Sequence, residues 1–168
     1  MLTMLAKLLK ALNSESAPGQ VALAFALAVI AGLTPLFSLH NLLVLLLAFI
    51  IRVNLSAFFL GVAFFSGVAY LTDPWAIRLG ESVLQHPVLI GLWTEWYQSD
   101  FWRLTAFNNT LVMGSLLLSL LAFVPVLVVS RLLIVMYRDK LLAWIEKLKV
   151  VQVLKASKFV NVYKSLAD

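Results

Sequence analysis

No cysteine occurs anywhere in the chain, which excludes disulfides, thiol nucleophiles and cysteine-ligated metals without fixing the compartment. Histidine is nearly absent too. His40 lies inside an apolar run and His86 in a loop, and neither belongs to a HExxH or other ligand pattern, so no metal site and no cofactor is expected. Charge is equally scarce: 12% of residues are Asp, Glu, Lys or Arg, about half of the ~25% usual in soluble domains. A P-loop, a GxSxG motif, paired acids within an apolar run and a His–carboxylate pair at helical spacing are all missing. A non-enzymatic protein is therefore expected. Ser38 and His40 come nearest to a nucleophile with a base, but at i and i+2 on one helix they are expected to point apart.

Apolar surface is what the chain has in abundance. Of its 168 residues 62% are hydrophobic, and the mean hydropathy is +0.98; a fold this small has no core large enough to hide that surface. The expected fold class is an all-α integral membrane protein, a small helical bundle with three to four membrane segments. The 13 Lys and Arg outnumber the 8 Asp and Glu by five. Because the excess flanks apolar runs, it reads as orientation and attraction to anionic lipid, not as a nucleic-acid surface.

Three regions follow along the chain. Residues 1–14 set Leu2, Leu5, Leu9 and Leu12 on one helical face against Lys7 and Lys10, an amphipathic interfacial helix expected to be retained because its lysines interrupt the apolar pattern of a signal peptide. Residues 15–137 form the membrane domain, with segments at about 18–33, 36–51, 53–72 and 104–129 and an outer loop over 73–103. Residues 138–168 form a basic amphipathic tail. Asp73 with Pro74 reads as the end of one helix and the N-cap and first residue of the next. The first two segments would each be about 24 Å long, short of a hydrocarbon core of about 30 Å. They are either slightly mismatched spans or a re-entrant hairpin bent at Pro35. Basic residues concentrate at Lys7, Lys10, Arg52 and the tail, with only Arg78 and Arg103 in the loop, so both termini are expected on the cytoplasmic side.

Four features are candidates for function or packing. Thr34, Pro35, Ser38, His40 and Asn41 interrupt the most apolar stretch and are a candidate polar groove; equally, the polar groups there satisfy carbonyls released at the proline. Arg52 and Asn54 stand where two apolar runs meet, as a candidate lipid-headgroup contact or as an interfacial anchor followed by a helix cap. Trp93 and Trp96, with Leu141, Ile145 and Leu148 of the tail, are a candidate partner surface, or else headgroup-level aromatics and a membrane-lying face. Rows of small residues (Ala24, Ala28 and Gly32; Ala57 and Gly61; Ala63 and Gly67; Ser115, Ser119 and Ala122) read as helix packing.

The stretch "SAPGQVALAFALAVIAGLTPLFSLHNLLVLLLAFIIRVNLSAFFLG" resembles the bacterial membrane family catalogued as domain of unknown function 2062, through Pro18, Ala22, Ala26, Gly32, Pro35, Arg52 and Asn54. The likeness extends over roughly residues 16–137, less specifically in the last helix around Gly114, Ser115, Arg131 and Arg138. Ser38 stands where the family usually has glycine, and "FSGVAYLTD" where it has an Asn-Pro pair, which marks a divergent subgroup. The resemblance implies a bacterial inner-membrane protein of the envelope. Members are sometimes joined to glycosyltransferase domains, which points towards lipid or lipid-linked work. The leading expectation is a component that assists phospholipid movement or presentation within an envelope lipid-transport complex, partnered by phospholipid and by another protein or its own copies. A non-transporting scaffold for a partner protein is the alternative, and a small solute or ion channel ranks last because the spans carry no acidic residue.

Overall fold

Small side chains decide how the helices approach one another. The computed structural model describes residues 18–137, which form six α-helices and no strand, as an all-α fold requires. These are α1 (Pro18–Leu33), α2 (Leu39–Ile50), α3 (Leu55–Leu84), α4 (Ile90–Tyr97), α5 (Asp100–Leu104) and α6 (Thr110–Met136). The helix expected over 1–14 and the tail expected over 138–168, with Leu141, Ile145 and Leu148, lie outside the described residues. Two helices, α3 and α6, are long and apolar enough to cross a membrane.

α1 is the enclosed element. A helix that is apolar all round has no face to give to water and belongs inside, and α1 is buried almost continuously from Val21 to Leu33. Ala22, Ala24, Ala26 and Ala28 are fully covered. α3 and α6 pack against α1 and against each other, whereas α2 lies more lightly on α1 and α3. The register with α3 is parallel: a Cβ on Gly61 would stand 2.7 Å from the Ala28 Cβ, and one on Gly32 would stand 2.6 Å from the Phe65 Cβ. Phe65 is ten residues beyond the start of α3, so at about 1.5 Å per residue α1 ends roughly 15 Å along it.

α3 and α6 are antiparallel and touch backbone to backbone at the other end of the bundle. A Cβ on Gly80 would overlap the Thr110 carbonyl oxygen, and one on Gly114 would overlap that of Ala76. Ala76–Gly80 and Thr110–Gly114 are thus facing small-residue pairs four positions apart. Ser115 and Ser119 continue the buried face of α6. Gly67, by contrast, has no neighbour within 4 Å of its would-be Cβ, so the Ala63–Gly67 row takes no part in internal packing.

The continuity of α3 corrects the expectation at Asp73 and Pro74. The helix does not end and restart there; it runs through Pro74 to Leu84, and residues 73–84 are a continuation of the long helix, not loop. Proline deprives one carbonyl of its donor and crowds the preceding turn. The contact of Ala76 and Gly80 with α6 holds the far half in line, a tertiary gain that outweighs the local break. α6 likewise contains Pro125 and begins after Asn109, whose side-chain oxygen accepts from the Leu111 and Val112 amides at 2.9 and 3.2 Å.

Gly114→Ala is expected to lower stability by about 1–3 kcal/mol, because backbone must move to admit the methyl group. Gly67→Ala is expected to be neutral or to gain up to ~1 kcal/mol from helix propensity. Thermal unfolding of the two variants in detergent, beside the parent chain, checks both.

Candidate functional site

The polar break between α1 and α2 is closed by its own side chains. Asn41, in the first turn of α2, reaches back to the end of α1, and its amide group donates to the carbonyls of Pro35 at 3.0 Å, Ala31 at 3.3 Å and Leu36 at 3.4 Å. With two hydrogens for three acceptors, the Pro35 bond is the principal one. The Thr34 hydroxyl lies 2.7 Å from the Ile30 carbonyl and 2.9 Å from Asn41 Oδ1, so its single proton is shared between them. Thr34 is 4% exposed and Asn41 8%. These bonds meet the demand of a helix end whose last carbonyls have no intrahelical donor. Among the described residues no buried side-chain nitrogen or oxygen lacks a partner.

Ser38 and His40 form a second group. The expectation that they point apart is overturned: Ser38 Oγ and His40 Nε2 are 2.9 Å apart. Ser38 is the N-cap, with φ −115° and ψ 150°, and makes no side-chain cap bond. Its extended backbone puts it outside the helical geometry on which the expectation rested, and its hydroxyl turns to the imidazole. The five residues of the break are therefore brought together as two hydrogen-bonded groups, Thr34 and Asn41 with the Pro35 carbonyl, and Ser38 with His40. Leu36 and Phe37 at the tip face outward.

α2 is one-sided. Asn41, Val44 and Ala48, three and four residues apart, are its buried positions, while Leu42, Leu43, Leu46, Leu47, Phe49 and Ile50 are exposed. At its end the chain makes a Schellman turn: the Arg52 amide donates to Phe49 at 3.1 Å and the Val53 amide to Ala48 at 3.2 Å. Arg52 takes the left-handed position of that turn, with φ 56°. Glycine is the usual occupant there, and a side chain costs roughly 1–2 kcal/mol. Val53 follows into the same buried cluster as Ala48. Asn54 then caps α3, its side-chain oxygen accepting from the Ala57 amide at 2.9 Å. Arg52 itself is exposed, and its guanidinium has no hydrogen-bond or ion-pair partner among the described residues.

At the opposite end, Trp93 and Trp96 hold one another in an aromatic cap. Trp96 stacks on Trp102 with centroids 4.2 Å apart and meets the edge of Trp93 at 5.3 Å, while Phe107 stands 5.9 Å from both Trp93 and Trp96. The Trp93 indole donates to the Val83 carbonyl at 3.1 Å, closing the end of α3. Both indoles are half-buried, so part of the surface that the sequence offers to a partner is spent on the fold. Phe107 escapes sequence reading because only a left-handed turn at Ala106, φ 55°, brings it under the cap. An open cleft of about 340 Å³ lies between Leu84, Trp93, Tyr97 and Phe107. Arg103 pairs with Asp100 and sits 5.9 Å over the Tyr97 ring.

Asn41→Leu is expected to destabilise the chain by about 1–3 kcal/mol, since it leaves buried carbonyls without a donor. Ser38→Ala, which removes no cap bond and only the part-buried bond to His40, is expected to cost about 1 kcal/mol or less; unfolding midpoints separate the two.

A Treponema pallidum (strain Nichols) protein described as an uncharacterized protein is 30% identical over 141 residues, covering 84% of this chain and 87% of the relative. No solved structure matches the chain. The family described as "Uncharacterized protein conserved in bacteria (DUF2062)" matches residues 3–142, and the chain belongs to it.

Proposed function

We propose that the chain is a bacterial inner-membrane protein that assists the movement or presentation of phospholipid, working beside a protein partner of the envelope. The observation that carries this reading is the one-sided packing of α2, a short helix whose large apolar side chains face away from the protein and end at a cation. Such a surface is a poor neighbour for water and a good one for acyl chains. Membrane residence is supported by α3 and α6: only 17% and 22% of their most apolar windows lie inside the bundle, whereas the core helices of soluble proteins bury most of theirs.

In this reading α3 and α6 cross, and α1 with α2 is a re-entrant hairpin that enters and leaves on the cytoplasmic side. Support comes from the roughly 15 Å that α1 advances along α3, about half of a ~30 Å hydrocarbon core. The Thr34–Asn41 lock lets a bend survive at that depth, where unpaired backbone groups are not tolerated. The Lys and Arg excess in the sequence of the two terminal segments, which by the positive-inside tendency favours the cytoplasm, supports placing both termini there.

The closed lock also favours a second reading, a non-transporting anchor for a partner, because a sealed bend offers no polar path. The two diverge in the assay. Vesicles containing the purified chain are expected to exchange a fluorescent phospholipid between leaflets faster than empty vesicles, and Leu43→Asn with Leu47→Asn is expected to abolish the gain. Equal rates in wild-type and empty vesicles, with and without a co-purified partner, overturn the lipid reading. In that case Trp93→Ala and Trp96→Ala should release the partner. The hairpin is checked separately: Ser38→Cys should be protected from a membrane-impermeant thiol reagent added on either side, and labelling from outside would mean that the hairpin crosses fully.

A further inference from the structure

We infer that Arg52 is a docking point for the phosphate of an anionic phospholipid whose acyl chains lie along the outward face of α2. This rests on the lipid reading above and names the ligand class. Three observations converge. Arg52 occupies the left-handed position of the turn after α2, where glycine is the residue the backbone favours. The other left-handed residue, Ala106, carries only a methyl group into solvent, whereas Arg52 carries an exposed cation with no partner among the described residues. Phe49, Ile50 and Ile51, immediately before it, are exposed and apolar.

Charge at the two ends is complementary to this arrangement. The acidic residues in the described part, Asp73, Glu81, Glu95 and Asp100, lie at or beyond the far half of α3. Asp73 is 21 residues along the chain from Arg52, about 30 Å at the helical rise. Among the described residues no carboxylate therefore competes for the guanidinium, and Arg131 of the antiparallel α6 adds a second exposed cation towards the same end. A guanidinium binds phosphate through two parallel hydrogen bonds, and the strip Leu42, Leu46, Phe49 and Ile50 leads away from it with apolar groups only. Headgroup and tails thus find their partners in the order in which a phospholipid presents them.

The test is native mass spectrometry of the full chain released from micelles holding equal phosphatidylglycerol and phosphatidylcholine, together with unfolding midpoints. Wild type should retain phosphatidylglycerol preferentially. Arg52→Gly should melt higher, as the turn is relieved, while its preference falls about fivefold, the worth of one basic residue at an anionic surface. Arg52→Asn, which also tolerates the left-handed turn, should lose the preference equally, so the outcome does not hang on one variant. Arg52→Lys should keep part of it, and Arg78→Ala at the other end should keep all of it. Retention of the wild-type ratio by Arg52→Gly and Arg52→Asn overturns the assignment, as does a fall in melting temperature for Arg52→Gly, which would make the side chain structural. Displacement of the lipid by inorganic phosphate alone would overturn the lipid source. Loss of preference in these variants beside a wild type that moves no lipid in vesicles would leave the docking point standing and remove only the lipid-movement reading.

Discussion

The narrowness of α1 is the constraint on which the rest depends. Alanines at 22, 24, 26 and 28, followed by Ala31 and Gly32, alternate with larger apolar residues such as Phe25 and Leu27 and narrow parts of that helix's surface, and α3 and α6 both pack against it. Once α1 is sheathed in this way it has little surface left for α2, which lies at the flank and is held by Asn41, Val44 and Ala48. The same closeness sets the parallel register with α3 through Gly32 and Gly61, and that register determines how far along α3 the hairpin turns. A larger side chain on α1 would disturb helix separation, hairpin depth and the position of α2 together.

A bend so near the centre of an apolar bundle is an electrostatic problem before it is a steric one. Pro35 removes a donor, and carbonyls at the end of α1 face surroundings in which leaving them unpaired is costly. Asn41 solves this with one side chain from the next helix, and Thr34 ties that side chain down. The arrangement also couples the two helices: α2 cannot swing away from α1 without breaking the bonds that satisfy the bend. Apart from that lock, α2 is the element with the fewest buried residues among the long helices, and elements with little buried surface are the first to open.

The two ends of the bundle have different chemistry. One is crowded with aromatic rings, Trp96 stacked on Trp102 and both Trp93 and Trp96 in contact with Phe107, which finish α3 and precede the entry to α6. The other holds Arg52 and, one turn inside the end of α6, Arg131. Its left-handed arginine trades backbone comfort for an exposed charge beside an apolar face. A membrane supplies that same sequence of environments, charged at the surface and apolar beneath, which is why the lipid reading explains more of the exposed surface than a water-facing one does.

Composition and local pattern determined a good deal on their own. The apolar excess pointed to the all-helical fold of the described residues. Pro35 among Thr34, Ser38, His40 and Asn41 marked the break, and the Arg52–Asn54 step marked the start of α3, since turns and caps are local chemistry readable from a few residues. Tertiary structure alone decided that α3 runs through Pro74, because the gain that holds it straight comes from α6, more than thirty residues away. It also decided that Ala76 and Gly80 meet Thr110 and Gly114, that Ala63 and Gly67 do not pack inside, that Ser38 turns to His40, and that Phe107 lies beneath the tryptophans. Small residues four apart say that a helix has a flat face; which face finds a partner depends on the direction and register of another helix, and no local stretch of sequence carries that information.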